Sequence, residues 1–375
     1  MLISKRIFQP VIFLIAAWLA MQTNAIGATT RLASNTATAT TMSTTTPAVK
    51  WHPGHYIMLY ANQSEPYYFN SVLTDLTNHP KFQGVQKQYF WNKLEPQYGV
   101  YDFSEIQSDL ANLAKINKRL ILRIQAESFI TYDKRVPYYL LTSEYQGGVY
   151  MIDTGKGYNA TYYNTKVQSR MIALIQALGK AFDANPNLEM INLEETSPSK
   201  ADSTWNATYL NDYINGMLNV AIAARKAFPT TVVDQFVNYP VSHLPQIFNT
   251  ALTYGIGVGG PDTKQNNTYL ISGVYSYYPQ VTNILPISMA VDYSNYDSSY
   301  AYNSPVDYPP VASIHQFATT ALKPNYLVWL RRTAESNGSN YCGSVLKYID
   351  TYNWQADPSG GINTKCPTAI APCKY

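Results

Sequence analysis

Residues 119–127 read RLILRIQAE. Leu120, Leu122 and Ile124 recur with a period of two, the repeat of a strand whose one face meets an apolar layer. The same alternation leaves Arg123, Gln125 and Glu127 on the other face. A buried strand that carries charge on one side needs an enclosed polar interior, and a closed barrel has one.

Seven further runs of the same kind are spread along the chain: HYIMLYA (55–61), VQKQYFW (85–91), LEMINLE (188–194), TVVDQFVN (231–238), GIGVGG (255–260), LPISMAVD (285–292) and YLVWLRR (326–332). Segments of helical period lie between them. In FSEIQSDLANLAKINK the apolar residues Ile106, Leu110 and Leu113 share a face, and Ser104 is placed to cap the start. Eight strand–helix pairs predict an α/β fold, a (β/α)8 TIM barrel in a single domain over residues 51–375. The rival is an open doubly wound sheet, but no Gly-rich phosphate loop follows the first strand, and no cofactor is expected.

Residues 1–25 read as a secretory signal peptide. Lys5 and Arg6 precede the mostly apolar run from Ile7 to Ala20, which is too short and interrupted to span a bilayer. An uncleaved anchor is the alternative. Residues 26–50, including TATATTMSTTTPAV, lack core-forming groups and read as a flexible Thr-rich leader. The expectation is a secreted or periplasmic protein with no membrane contact after cleavage. The net charge of +3 is small and Lys and Arg are scattered, so a nucleic-acid partner is not expected. The 33 tyrosines far outnumber the 12 phenylalanines; they suit the CH and OH surfaces of a sugar or simply a wet exterior. Cys342, Cys366 and Cys373 predict one disulfide stapling the C-terminal tail, with its pairing open. The five histidines are dispersed and no metal site is expected.

Strand parity places polar groups at the C-terminal mouth of the barrel. In strand four, Asn192 and Glu194 point inward; in strand seven, Ser288, Ala290 and Asp292; in strand eight, Trp329 and Arg331, with Val328 and Leu330 outward. Carboxyls on strands four and seven can flank a sugar, one donating a proton to the leaving oxygen and the other attacking C1 or activating water. Glu194 and Glu195 are the candidates on one side and Asp292 on the other.

The segment FWNKLEPQYGVYDFSEI (90–106) resembles the second-strand signature of clan A barrel glycoside hydrolases, through Trp91, Leu94, Glu95, Pro96, Gly99, Tyr101, Asp102 and Phe103. The resemblance implies a (β/α)8 barrel that acts on a poly- or oligosaccharide. It puts the acid/base at Glu195, with Glu194 where such enzymes carry Asn, whereas parity favours Glu194. It also implies a nucleophilic Glu at the end of strand seven, where this chain has only Asp292. The shorter Asp could widen the carboxyl gap toward an inverting separation, or Asp262 in GGPDT could serve instead, or catalysis could be lost. Trp329 matches the sugar platform of the resembling enzymes, and Arg331, Arg123, Gln125, Glu127, Trp91, Asn238 and Asp262 are candidate substrate contacts. Glu95 reads as structural. Asp234 and Asn238 are as well explained by local backbone bonding, Asp262 by a tight turn, and His243 and His315 by ordinary helix positions. Asn159 and Asn206 lie in Asn-X-Thr sequons. Two function classes remain: an exported glycoside hydrolase, and a non-catalytic carbohydrate-binding barrel. An adhesive role leaves the signature unexplained, and no Gly-X-Ser-X-Gly elbow is present.

Overall fold

Eight parallel strands close on themselves in the computed structural model: β1 (Gly54–Leu59), β2 (Phe82–Phe90), β3 (Arg119–Gln125), β4 (Leu188–Leu193), β5 (Val232–Phe236), β6 (Gly257–Gly260), β7 (Ile287–Val291) and β8 (Tyr326–Leu330). Each pairs with its successor, and β8 returns to β1 with Trp329 opposite Ile57. The structure describes residues 47–59, 66–153, 155–200, 205–296, 311–331 and 341–375. The expected signal peptide and nearly all of the leader lie outside these residues. Val49 and Lys50, at the end of the Thr-rich stretch, pair in parallel with Cys373 and Lys374. Lys50 Nζ caps the carbonyls of Asp183 and Asn185 at 2.6 and 2.9 Å.

Helices follow the strands as the periodicity predicts: α1 (Pro66–Asn78), α2 (Ser104–Lys115), α3 (Thr165–Phe182), α4 (Ala207–Ala227), α5 (Leu244–Tyr254), α6 (Thr268–Ser272), α7 (Val311–Phe317) and α8 (Tyr341–Thr351). Among the described residues, no helix is long and apolar enough to cross a membrane. Ile106, Leu110 and Leu113 are the buried face of α2. Its start is held not by Ser104 but by Asp102, whose Oδ1 accepts from the Ser104 amide and hydroxyl at 3.0 and 2.6 Å. Asn206 caps α4 by accepting from the Tyr209 amide, and Asn159 is fully buried against the Tyr213 hydroxyl, so that sequon is inaccessible. Cys366 and Cys373 are disulfide-bonded, which settles the pairing in the tail.

The interior is layered. At the base, Tyr56 and Tyr326 pack with ring centroids 5.8 Å apart, and the Tyr326 hydroxyl reaches Glu189 of β4 across the barrel. Above them Gln86 donates to Asn192, which donates to Asp234 at 2.7 Å. Burial pushes the Asp234 carboxyl up to about 8. Beside it β6 is nearly all glycine, because a Cβ on Gly259 would lie 1.9 Å from the Ser288 carbonyl oxygen.

That layering corrects strand eight. Tyr326 stands opposite Ser288 and Gly54 and faces in, so Val328 and Leu330 also face in. Trp329 and Arg331 therefore face the helical shell, contrary to the expectation. The indole of Trp329 is buried, donates to His55 Nδ1 at 3.1 Å and packs near His315. Arg331 binds Asp75 of α1 at 2.7 Å. The premise that the shell side must be apolar fails here, because polar groups in the shell, His55 of β1 and Asp75 of α1, satisfy the outward N–H groups. Lys87 of β2 breaks the same premise, buried between Asp109 (2.6 Å) and Glu105 (2.8 Å) of α2.

Candidate active site

β4 ends at Leu193, and there the two adjacent glutamates part. Glu194 turns back toward the shell. Its Oε2 accepts from the Ala126 and Glu127 amides at 2.9 and 2.8 Å, and its Oε1 from the Tyr162 hydroxyl at 2.9 Å. Around it lie Ile124, Met171 and Met217. Glu195 instead opens on a cavity of about 410 Å³ at the C-terminal mouth of the barrel. Arg123 Nη2 lies 3.4 Å from its Oε1, and Asn238 Nδ2 donates to its Oε2 at 2.9 Å. Parity favoured Glu194 for this position, but parity holds only while the chain stays extended, and the strand has ended.

The Glu195 carboxyl titrates above its ordinary value. Burial is the main cause and the charge of Asp262 adds to it, while Arg123 and Asn238 pull the other way. A carboxyl so placed keeps its proton toward neutral pH, which general-acid work requires. Arg123 is itself fixed, its guanidinium 4.9 Å from the Phe236 ring centroid.

The same cavity is lined by Asp262, past β6, and Asp292, past β7. One residue ties these two loops together. Asn295 Nδ2 donates to Asp262 Oδ1 at 2.7 Å, its amide donates to the Asp292 carbonyl at 2.9 Å, and its Oδ1 accepts from the Thr263 amide. Lys264 Nζ adds an ion pair to Asp262 at 3.4 Å. Asn295 went unnoticed in the sequence because an Asn in a short polar stretch carries no periodic signal. Gln88 was missed too, although β2 parity, read from Gln86, would have placed it in the cavity wall.

Of the expected substrate contacts, Arg123, Gln125 and Asp262 line the cavity. Buried polar atoms of Gln88, Gln125 and Arg123 have no hydrogen-bond partner among the described residues. Asn238 reaches the site through Glu195. Glu127 is buried, with Oε1 accepting from Ser199 Oγ at 2.7 Å; burial and then the charges of Glu195 and Glu194 raise its carboxyl well above the ordinary range. Trp329 and Arg331 are outside the site, as described above. Trp91 is a further correction. It is fully buried and donates to Glu95 Oε2 at 3.0 Å, while Glu95 also takes the Gly99 amide and Arg170. The signature segment thus fixes its own loop and leaves the cavity to others. Among the described residues, no group of three or more His, Cys, Asp or Glu could hold a metal ion.

The barrel superposes on the catalytic domain of β-amylase from Paenibacillus polymyxa with a TM-score of 0.58 and 10% identity, covering 83% of this chain and 100% of that one. The chain shares its fold with barrel glycosidases. A β-galactosidase from Bacillus circulans sp. alkalophilus matches with a TM-score of 0.55 and 11% identity over 80% of this chain. This barrel spans 56% of that longer enzyme. Endo-glycoceramidase II from Rhodococcus sp. matches with a TM-score of 0.52 and 10% identity over 80% of both chains. No family model matches the sequence, and no curated protein matches it. The resemblance to clan A barrel glycoside hydrolases thus holds for the fold.

Proposed function

We propose that this chain is an exported glycoside hydrolase in which Glu195 is the general acid and Asp292 the second carboxyl. The observation that carries the reading is the shared cavity: Glu195, held by Arg123 and Asn238, lines it together with Asp262 and Asp292. The protonated Glu195 gives its proton to the glycosidic oxygen as the C1–O bond breaks. A water adds to C1 and loses its proton to the Asp292 carboxylate. The shorter Asp side chain suits this water-mediated, inverting route. Asp262, clamped by Asn295 and Lys264, adds its charge to the burial that keeps Glu195 protonated. Export rests on the basic and apolar character of residues 1–25.

The test is turnover of aryl glycosides and polysaccharides by Glu195→Gln and Asp292→Asn. Each variant is expected to lose about 10²- to 10⁴-fold in kcat with an unchanged unfolding midpoint. Full activity of Glu195→Gln overturns the assignment. The absence of Glu at the end of β7 favours a second reading, a carbohydrate-binding barrel without turnover. Glycan binding by the wild-type protein with no product released would select it.

A further inference from the structure

The loops after β2 and β3 expose aromatic rings that the proposed chemistry does not use. Tyr98 is 63% exposed, Phe129 55%, Tyr132 89% and Tyr138 84%. Singly exposed apolar side chains are ordinary, and this group matters because it adjoins the cavity. It begins at the cavity itself, where Phe129 lines the rim.

The two loops are bound to each other: the Asn92 amide donates to the Arg135 carbonyl at 2.9 Å, and Asn92 Nδ2 to the Lys134 carbonyl at 3.2 Å. The tip that carries Tyr132 is a closed turn, with the Asp133 amide donating to the Ile130 carbonyl at 3.0 Å. Tyr98 packs on Tyr139 at 5.4 Å beneath Arg170. The charges beside the rings are used within the protein. Arg135 pairs with Asp133 at 2.8 Å, Arg170 with Glu95, and Lys134 lies over the Tyr158 ring. Nothing in that pattern favours an anionic partner.

We propose that these rings form an extended shelf for a neutral, linear polysaccharide, whose chain leaves the cavity over Phe129 and Tyr132. The inference rests on the cavity being a sugar site, as argued above. A pyranose lays its CH face on a ring and leaves its hydroxyls in water, and a tyrosine offers that surface at little cost in side-chain freedom.

Affinity electrophoresis through gels that contain a linear β-glucan, a galactan or a xylan tests this. The wild-type protein and Glu195→Gln should both be retarded by at least one polymer. The double variant Tyr132→Ala/Tyr138→Ala, and Tyr132→Ala alone, remove only exposed side chains. The double variant should bind that polymer about tenfold more weakly and show a matching rise in KM, with aryl-glycoside turnover unchanged. No retardation of the wild-type protein, equal retardation of the double variant, or a wild-type dimer that the double variant dissolves overturns the shelf. Retardation without any product leaves the shelf standing and removes the hydrolase reading.

Discussion

Glu189 and Glu195 stand at opposite ends of β4, and their surroundings differ in one respect that matters. At the base, both oxygens of Glu189 are taken: Oε1 by the His52 amide (2.6 Å) and the Tyr326 hydroxyl (2.8 Å), Oε2 by His52 Nδ1 (2.7 Å). It is fully buried. At the mouth, Glu195 has two donors and lines an open cavity, which two more carboxyls also line. A carboxyl ringed by donors is a fastener. One that is fixed from behind and faces a space can react.

Substitution at the base is the most direct way to break that contrast. In Glu189→Gln the new amide sets a donor against the His52 and Tyr326 donors. The variant should lose about 3 kcal/mol of stability in urea unfolding yet keep its turnover per folded molecule. An active-site defect without a stability loss would put Glu189 in the wrong class.

The two ends should also answer pH differently. At the base, His55 Nε2 and His315 Nε2 both bind the Gly360 carbonyl, at 3.0 and 2.9 Å, so both carry hydrogen there. His55 Nδ1 must then accept from Trp329, and a second proton would face that N–H. Burial, with His315 beside it, lowers the His55 pKa to about 3. The unfolded chain binds this proton near pH 6.5 and the folded one does not. The stability is therefore complete above about 6.5 and is lost as pH falls toward 3, by up to roughly 4 kcal/mol. At the mouth the same change of pH acts on rate. Removing the charge beside Glu195 in Asp262→Asn should move the alkaline limb of kcat/KM to lower pH. An unmoved limb, or a native state whose urea midpoint is flat from neutral to acid pH, breaks the distinction.

Much of this was open to reading from the chain. All eight strands lie within a few residues of their apolar runs, because a barrel strand buried on both faces shows as β-branched or apolar sequence; β4 ends at 193 where the run suggested 194. Arg123, Gln125 and Asp292 kept the side that parity assigned. What could not be read depends on contacts distant in sequence or on where a strand stops. Glu194 and Glu195 separate at a turn that no periodicity encodes. Trp91 read as a substrate contact because an indole suits a sugar as well as a core, and its burial and bond to Glu95 assign it to the core. Asn295 clamps a loop some thirty residues away.

Strand β8 gives the finest test, because the error there reversed a whole face. If Trp329 were a sugar platform, Trp329→Phe would keep a ring and change KM modestly while leaving stability alone. In the shell it instead loses the N–H that fills His55 Nδ1, leaving a buried acceptor unpaired among His315, Trp354 and Phe82. The expected cost is about 1–2 kcal/mol of stability with KM for every glycan unchanged. A shift in KM with no loss of stability would return Trp329 to the cavity. It would also invert the register that places Tyr326 against Glu189, on which the contrast between the two ends of β4 depends.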